Sequence, residues 1–168
     1  MTLYRADNAA LDTTTDVTAG GSYTTTAKVA IQLQIPDNQI ISIVEIGWSM
    51  DVAQTTAPLI SLTTTDTGST CTTAHTTTTI KPLLNAQAVA SRLTFGATTN
   101  TGYGTGAITS NTSLRTLHKL YAPQTYVYTW PLGMWPQAGG STTESFLQFR
   151  VKTQATVNGY CWIIWDEA

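Results

Sequence analysis

Residues 156 to 166 read TVNGYCWIIWD, the densest apolar and aromatic run in the chain. Strand alternation places Tyr160, Trp162 and Ile164 on one face of this stretch and Cys161, Ile163 and Trp165 on the other. Neither face is polar, so a strand here needs cover on both sides, from a second sheet or from another subunit. The run is about half the roughly 20 residues that a helix needs to span a bilayer. It reads as the central strand of a sandwich and as a candidate subunit contact.

The rest of the chain supports an all-β reading. Its 168 residues suffice for one domain with a core. Charged residues make up only 11% of it, against roughly 25% in an average globular domain. Thr supplies about a fifth of the residues, and its β-branched side chain favours strands and turns over helices. Polarity therefore comes from hydroxyls. Such a surface can be buried against a partner without desolvating an ion, as an assembly component requires.

Strand signals recur along the chain. Lys28 to Ile35 alternates, with Val29, Ile31, Leu33 and Ile35 on one face, and Pro36-Asp37-Asn38 then makes a turn. Gln39 to Met50 is a long strand, with Ile40, Val44, Ile46, Trp48 and Met50 on one face and Ile41, Ile43, Glu45 and Gly47 on the other. Further strands are expected at Leu59 to Thr64, Ser113 to Tyr121, Gln124 to Trp130 and Ser145 to Thr153. Gly96 to Asn111 reads as a loop, Leu83 to Arg92 as a short helix-like patch, and Gln154 to Gly159 as a turn. The count is seven or eight strands in a single sandwich, expected to be of jelly-roll type, over residues 27–168. Residues 1–26 carry few apolar side chains and read as an extended N-terminal arm, with Leu3, Tyr4 and Leu11 as its anchors.

Little chemistry is written into the sequence. His75 and His118 stand alone, no His/Cys cluster has zinc spacing, and no serine sits in a nucleophile elbow. The expectation is a protein without catalysis, cofactor or metal. Gly102 to Ala107 approximates a dinucleotide loop, but no helix pattern follows it. Asp12 and Asp16 lack calcium-loop spacing. Asn111-Thr112-Ser113 is a formal glycosylation sequon and reads as chance. Glu45 shares a face with isoleucines, which calls for a cation partner or a subunit contact. The eight basic residues are scattered, and no basic arm suggests nucleic acid. No membrane-spanning run occurs, and Met1 to Arg5 does not open a signal peptide. Of five tryptophans, Trp162 and Trp165 are candidates for the core or a partner contact, and Trp130 and Trp135 flank an apolar loop that could anchor a partner.

A short, weakly charged, Thr- and Gly-rich sandwich with a polar arm and an aromatic strand from Gly159 to Asp166 resembles the capsid decoration, or cement, proteins of tailed bacteriophages. The resemblance implies a structural virion protein, made in the host cytoplasm and placed on the capsid surface. It also implies a homotrimer whose partner is the major capsid protein, with no cofactor and no catalysis. Two other readings fit the pattern. One is a phage tail or receptor-binding domain whose Trp130, Trp135 and Tyr103 contact glycans. The other is a small jelly-roll capsid protein that builds the shell itself.

Overall fold

Alternating apolar residues make the strands of the protein, and glycines and threonines fill in the ones that apolar pattern does not mark. The computed structural model describes residues 2–9, 20–80, 82–84, 89–109 and 114–167. Its strands are β1 (Leu3–Asp7), β2 (Gly21–Tyr23), β3 (Lys28–Gln34), β4 (Ile40–Met50), β5 (Leu59–Thr65), β6 (Thr73–Ala74), β7 (Gly102–Ala107), β8 (Arg115–Tyr121), β9 (Thr125–Thr129), β10 (Gln137–Gly139), β11 (Phe146–Lys152) and β12 (Val157–Glu167). One short 3₁₀ turn, Thr142–Glu144, precedes β11.

Two six-stranded antiparallel sheets pack face to face, an all-β sandwich. The first is centred on β12 and β4. β1 and β2 share one edge of β12, while β9 and β10 share the far edge of β4. The second runs β6-β7-β3-β11-β5-β8. Four pairings nest inside one another along the chain: β2 with β12, β3 with β11, β4 with β9 and β5 with β8. The molecule is thus a long folded hairpin, closed into two layers by the β12–β4 and β11–β5 pairings.

The core lies between the layers. Ile31, Leu33, Leu62, Leu147 and Phe149 come from one sheet, and Ile41, Ile43, Ile46, Trp48, Cys161, Ile163 and Trp165 from the other. In β12, Cys161, Ile163 and Trp165 are fully buried, while Tyr160, Trp162 and Ile164 are only half-buried on the outer face. Within the protomer the second apolar face of this strand is therefore covered only in part, by neighbouring side chains of the same sheet.

β4 departs from simple alternation. The register against β12 shifts between Ile164 and Trp165, opposite Glu45 and Ile43. The extra residue, Val44, is a bulge that flips the inward set, so Ile41 and Ile43 share the core with Ile46, Trp48 and Met50. Uninterrupted alternation would have split these residues between two faces.

Other differences have equally local causes. Gly102 to Ala107 is a strand, not a loop. Backbone from a neighbouring segment presses on it so closely that only glycine fits: a Cβ at Gly102 would lie 2.6 Å from the Thr73 carbonyl oxygen, and one at Gly106 2.7 Å from that of Thr70. Asn158-Gly159 lies inside β12, and the turn falls at residues 153–156. The described parts of residues 1–26 are built into the first sheet. Tyr4 and Ala6 enter the core from β1, and Tyr23 enters it from β2. Leu11, Asp12 and Asp16, the middle of the helix-like patch at 85–88, and the sequon residues Asn111, Thr112 and Ser113 lie outside the described residues.

Candidate interaction surface

Between Lys119 and Glu144 the sequence has no charged residue. This stretch forms β9, a tight loop and β10, which line the free edge of the first sheet. β9 is among the most exposed strands, with only Tyr126 half-buried. Beside it runs β8, the last strand of the second sheet. Two sheet edges therefore meet along one flank of the sandwich.

An aromatic stack fills the gap between them. The His118 ring of β8 lies 5.0 Å from the Tyr128 ring and 5.9 Å from the Tyr126 ring, both stacked. Trp130 closes the group edge-on, 4.9 Å from Tyr128 and 5.5 Å from His118. The Tyr126 hydroxyl and His118 Nε2 are hydrogen-bonded at 3.2 Å. Burial lowers the pKa of His118, which keeps the ring neutral and suited to stacking.

The loop after β9 is pinned at its base and bare at its tip. Trp130 donates its backbone N–H to Val44, and the Trp135 indole N–H donates to the Trp130 carbonyl at 3.1 Å. Pro131 to Met134 is a type II turn. Met134 N–H donates to the Pro131 carbonyl at 2.9 Å, and Gly133 takes the positive φ of 83° that the turn demands. Leu132 and Met134 then project with 83% and 70% of their surface in water. The sequence points to Trp130 and Trp135 as anchors. In the structure both are half-buried supports, and the exposed groups are Leu132 and Met134. Only the uncharged composition of the stretch could have signalled this.

A second group lies on the outer face of the first sheet. The Trp162 indole N–H donates to Glu45 at 2.8 Å, and Thr129 donates its hydroxyl to the same carboxylate at 2.8 Å. Within the protomer Glu45 is thus satisfied by an indole and a hydroxyl, and the described residues give it no cation partner. Arg5 sits 5.1 Å from the Trp162 ring centroid and bonds Asp7 at 2.7 Å. Tyr160 donates its hydroxyl to Asp7 at 2.6 Å, and burial together with that carboxylate pushes the phenol up to about 12. These hydrogen bonds tie side chains of β1, β12, β4 and β9 together, so the group braces the first sheet.

The remaining candidates are dispersed. Trp165 is fully buried and stacks on Tyr4, 5.8 Å between ring centroids, so both belong to the core of one protomer. Leu3 is half-buried on β1, whose outer edge is covered where Leu83 N–H donates to the Leu3 carbonyl. Tyr103 packs on His75 in β7, four strands from β8, and does not converge with Trp130 and Trp135. Cys71 and Cys161 are buried free thiols, their pKa values raised by burial. Among the described residues no three His, Cys, Asp or Glu side chains gather as a metal site. No helix of the described residues is long and apolar enough to cross a membrane. No family model matches the chain, and neither a curated protein nor a solved structure shows significant similarity to it.

Proposed function

We propose that the chain is a structural virion protein of the decoration, or cement, type. It acts as a homotrimer that sits on the outer capsid surface and holds neighbouring major capsid proteins together. The observation that carries this reading is the uncharged lip from Tyr126 to Met134. Aromatic residues and Met are enriched at protein interfaces, where fully desolvated anchors supply most of the affinity. Leu132 and Met134 are such anchors waiting for a pocket, on a turn already held in shape by Trp130 and Trp135. Docking them removes apolar surface from water and desolvates no ion. Three linked protomers would multiply a modest contact into firm attachment on a lattice with equivalent sites. The nested strand pairs support the jelly-roll reading of the sandwich, an architecture that recurs in viral capsid and lectin domains.

The test is co-sedimentation with undecorated capsids. The intact protein should pellet with them, and Leu132→Ser combined with Met134→Ser should bind at least tenfold more weakly while keeping its melting temperature. Because the lip is uncharged, binding should change little with salt. No co-sedimentation by the intact protein would refute the cement role. Light scattering of the free protein should give three times the 18.0 kDa protomer mass. A shell-building role is the second reading, favoured by the same nested pairing. Large closed particles on sizing would establish it instead.

A further inference from the structure

The outer face of the second sheet holds a cleft of about 260 Å³ in which Lys119, Arg150 and Lys152 meet the hydroxyl residues Ser61, Thr63 and Thr116. Three of the chain's eight basic residues thus share one small site. Among the described residues no carboxylate lines it. The sheet register explains the gathering. Arg150 of β11 lies opposite Ser61 of β5, and Ser61 lies opposite Lys119 of β8, so two cations flank one serine across three strands. One row along, Thr63 sits between Gln148 and Thr116.

Two features set this cleft apart from a solvated basic patch. Arg150 is 91% buried by its 9% exposure, and its Nε–H is aimed by a 2.8 Å bond to Gln148. Gln148 is itself bonded to the buried Gln32 at 2.8 Å, so the guanidinium stands on a fixed base. Burial lowers the Arg150 pKa, the sign of a cation held out of water. Thr63 is only 4% exposed, lines the cleft, and its hydroxyl has no hydrogen-bond partner. A buried hydroxyl left unpaired is costly, and natural proteins seldom tolerate one without a reason.

We propose that this cleft binds an oxyanion of the phosphate class, either free or carried as a single group on a larger molecule. Lys119 and Lys152 supply charge-assisted hydrogen bonds, Arg150 adds its buried positive charge, and the Thr63 hydroxyl supplies a neutral hydrogen bond. The cleft is smaller than the roughly 300–1,000 Å³ that engulf a drug-sized ligand, which suits one phosphate rather than a whole nucleotide. The site is on the opposite sheet from the lip at Leu132 and does not depend on the cement reading.

The experiment is isothermal titration of the full chain with inorganic phosphate at fixed ionic strength, with acetate and chloride as comparison anions. Phosphate should bind at one site per protomer. Lys119→Gln and Lys152→Gln, both at exposed positions, should each weaken it about tenfold. Thr63→Val gives the sharper test. It should reduce phosphate affinity about fivefold or more while leaving the melting temperature in phosphate-free buffer unchanged or higher, because it deletes an orphan hydroxyl. A merely structural threonine would not separate the two readouts in that way. Absence of saturable phosphate binding, equal binding of acetate and chloride, or unaltered affinity in all three variants would each overturn the proposal.

Discussion

Trp48 and Trp162 each lie flat on a glycine of the partner strand, in opposite senses. Trp48 of β4 covers Gly159 of β12 on the core face, and Trp162 of β12 covers Gly47 of β4 on the outer face. A Cβ at Gly159 would stand 2.1 Å from the Trp48 ring, and one at Gly47 would stand 2.0 Å from the Trp162 ring. The clashes are similar, but their escape routes differ. Trp48 is sealed in the core, whereas Trp162 can swing outward. Gly159→Ala should therefore cost about 3 kcal/mol, the upper part of the overpacking range. Gly47→Ala should cost about 1 kcal/mol, with a red shift of tryptophan fluorescence as the indole leaves Glu45. Urea titration of both variants, read by fluorescence, checks the order. His75 gives a pH prediction. Burial lowers its pKa to about 4, below the roughly 6.5 of an unfolded histidine. The unfolded chain therefore takes up a proton first. Stability is full above about pH 6.5 and falls as pH drops toward 4, by roughly 3 kcal/mol in all. His75→Gln should flatten this part of the profile of urea midpoint against pH.

At the scale of the elements, β1 and β2 decide whether the first 26 residues can be detached. Tyr4 packs on Trp165, and Asn8 donates to the Tyr23 hydroxyl at 2.7 Å and to the Gly159 carbonyl at 3.0 Å. Deleting residues 2–9 strips β12 of a paired edge and leaves Trp165 without its stacking partner. The truncated chain should lose several kcal/mol of stability, since each large aromatic deletion alone costs about 3–5 kcal/mol. A melting temperature within a degree or two of the intact protein would show that β1 is dispensable. Sequence could not reveal this role, because β1 carries two core side chains among polar ones and depends on pairing with a strand 155 residues away in the Tyr160–Arg5 contact. By contrast β11 and β12 were legible, because each sends an alternating set into the core, whereas in β3 a bulge at Ala30 turns Val29 away from the core face of Ile31, Leu33 and Ile35 on which the sequence pattern had placed it. β7 and β10 were not, because what shapes them is close backbone approach and the glycine φ of 91° at Gly139, neither of which has a periodicity. The lip was half legible. Its tryptophans announced a loop of consequence, but which side chains support it and which project depends on a turn that only the fold fixes. The cleft of Lys119, Arg150 and Lys152 was invisible, since its members are brought together by register across β8, β5 and β11.

The whole molecule depends on pairings between distant parts of the chain. Nested hairpins leave the outermost pairs with the greatest sequence separation, and loop closure must precede the contacts that repay it. Folding should be slow, in the millisecond-to-second range typical of such topologies, and all-or-none. A chain ending at Gln154 lacks β12, which borders β1, β2 and β4 at once. It should show neither dispersed amide resonances nor near-ultraviolet circular dichroism, and native-like spectra from it would contradict the central role of that strand. The order of synthesis adds a consequence. On the ribosome β12 emerges after every strand it joins, so β1, β2 and β4 wait with unsatisfied edges until it arrives. The first sheet can therefore close only after synthesis has passed Glu167, and an interrupted chain leaves those edges open.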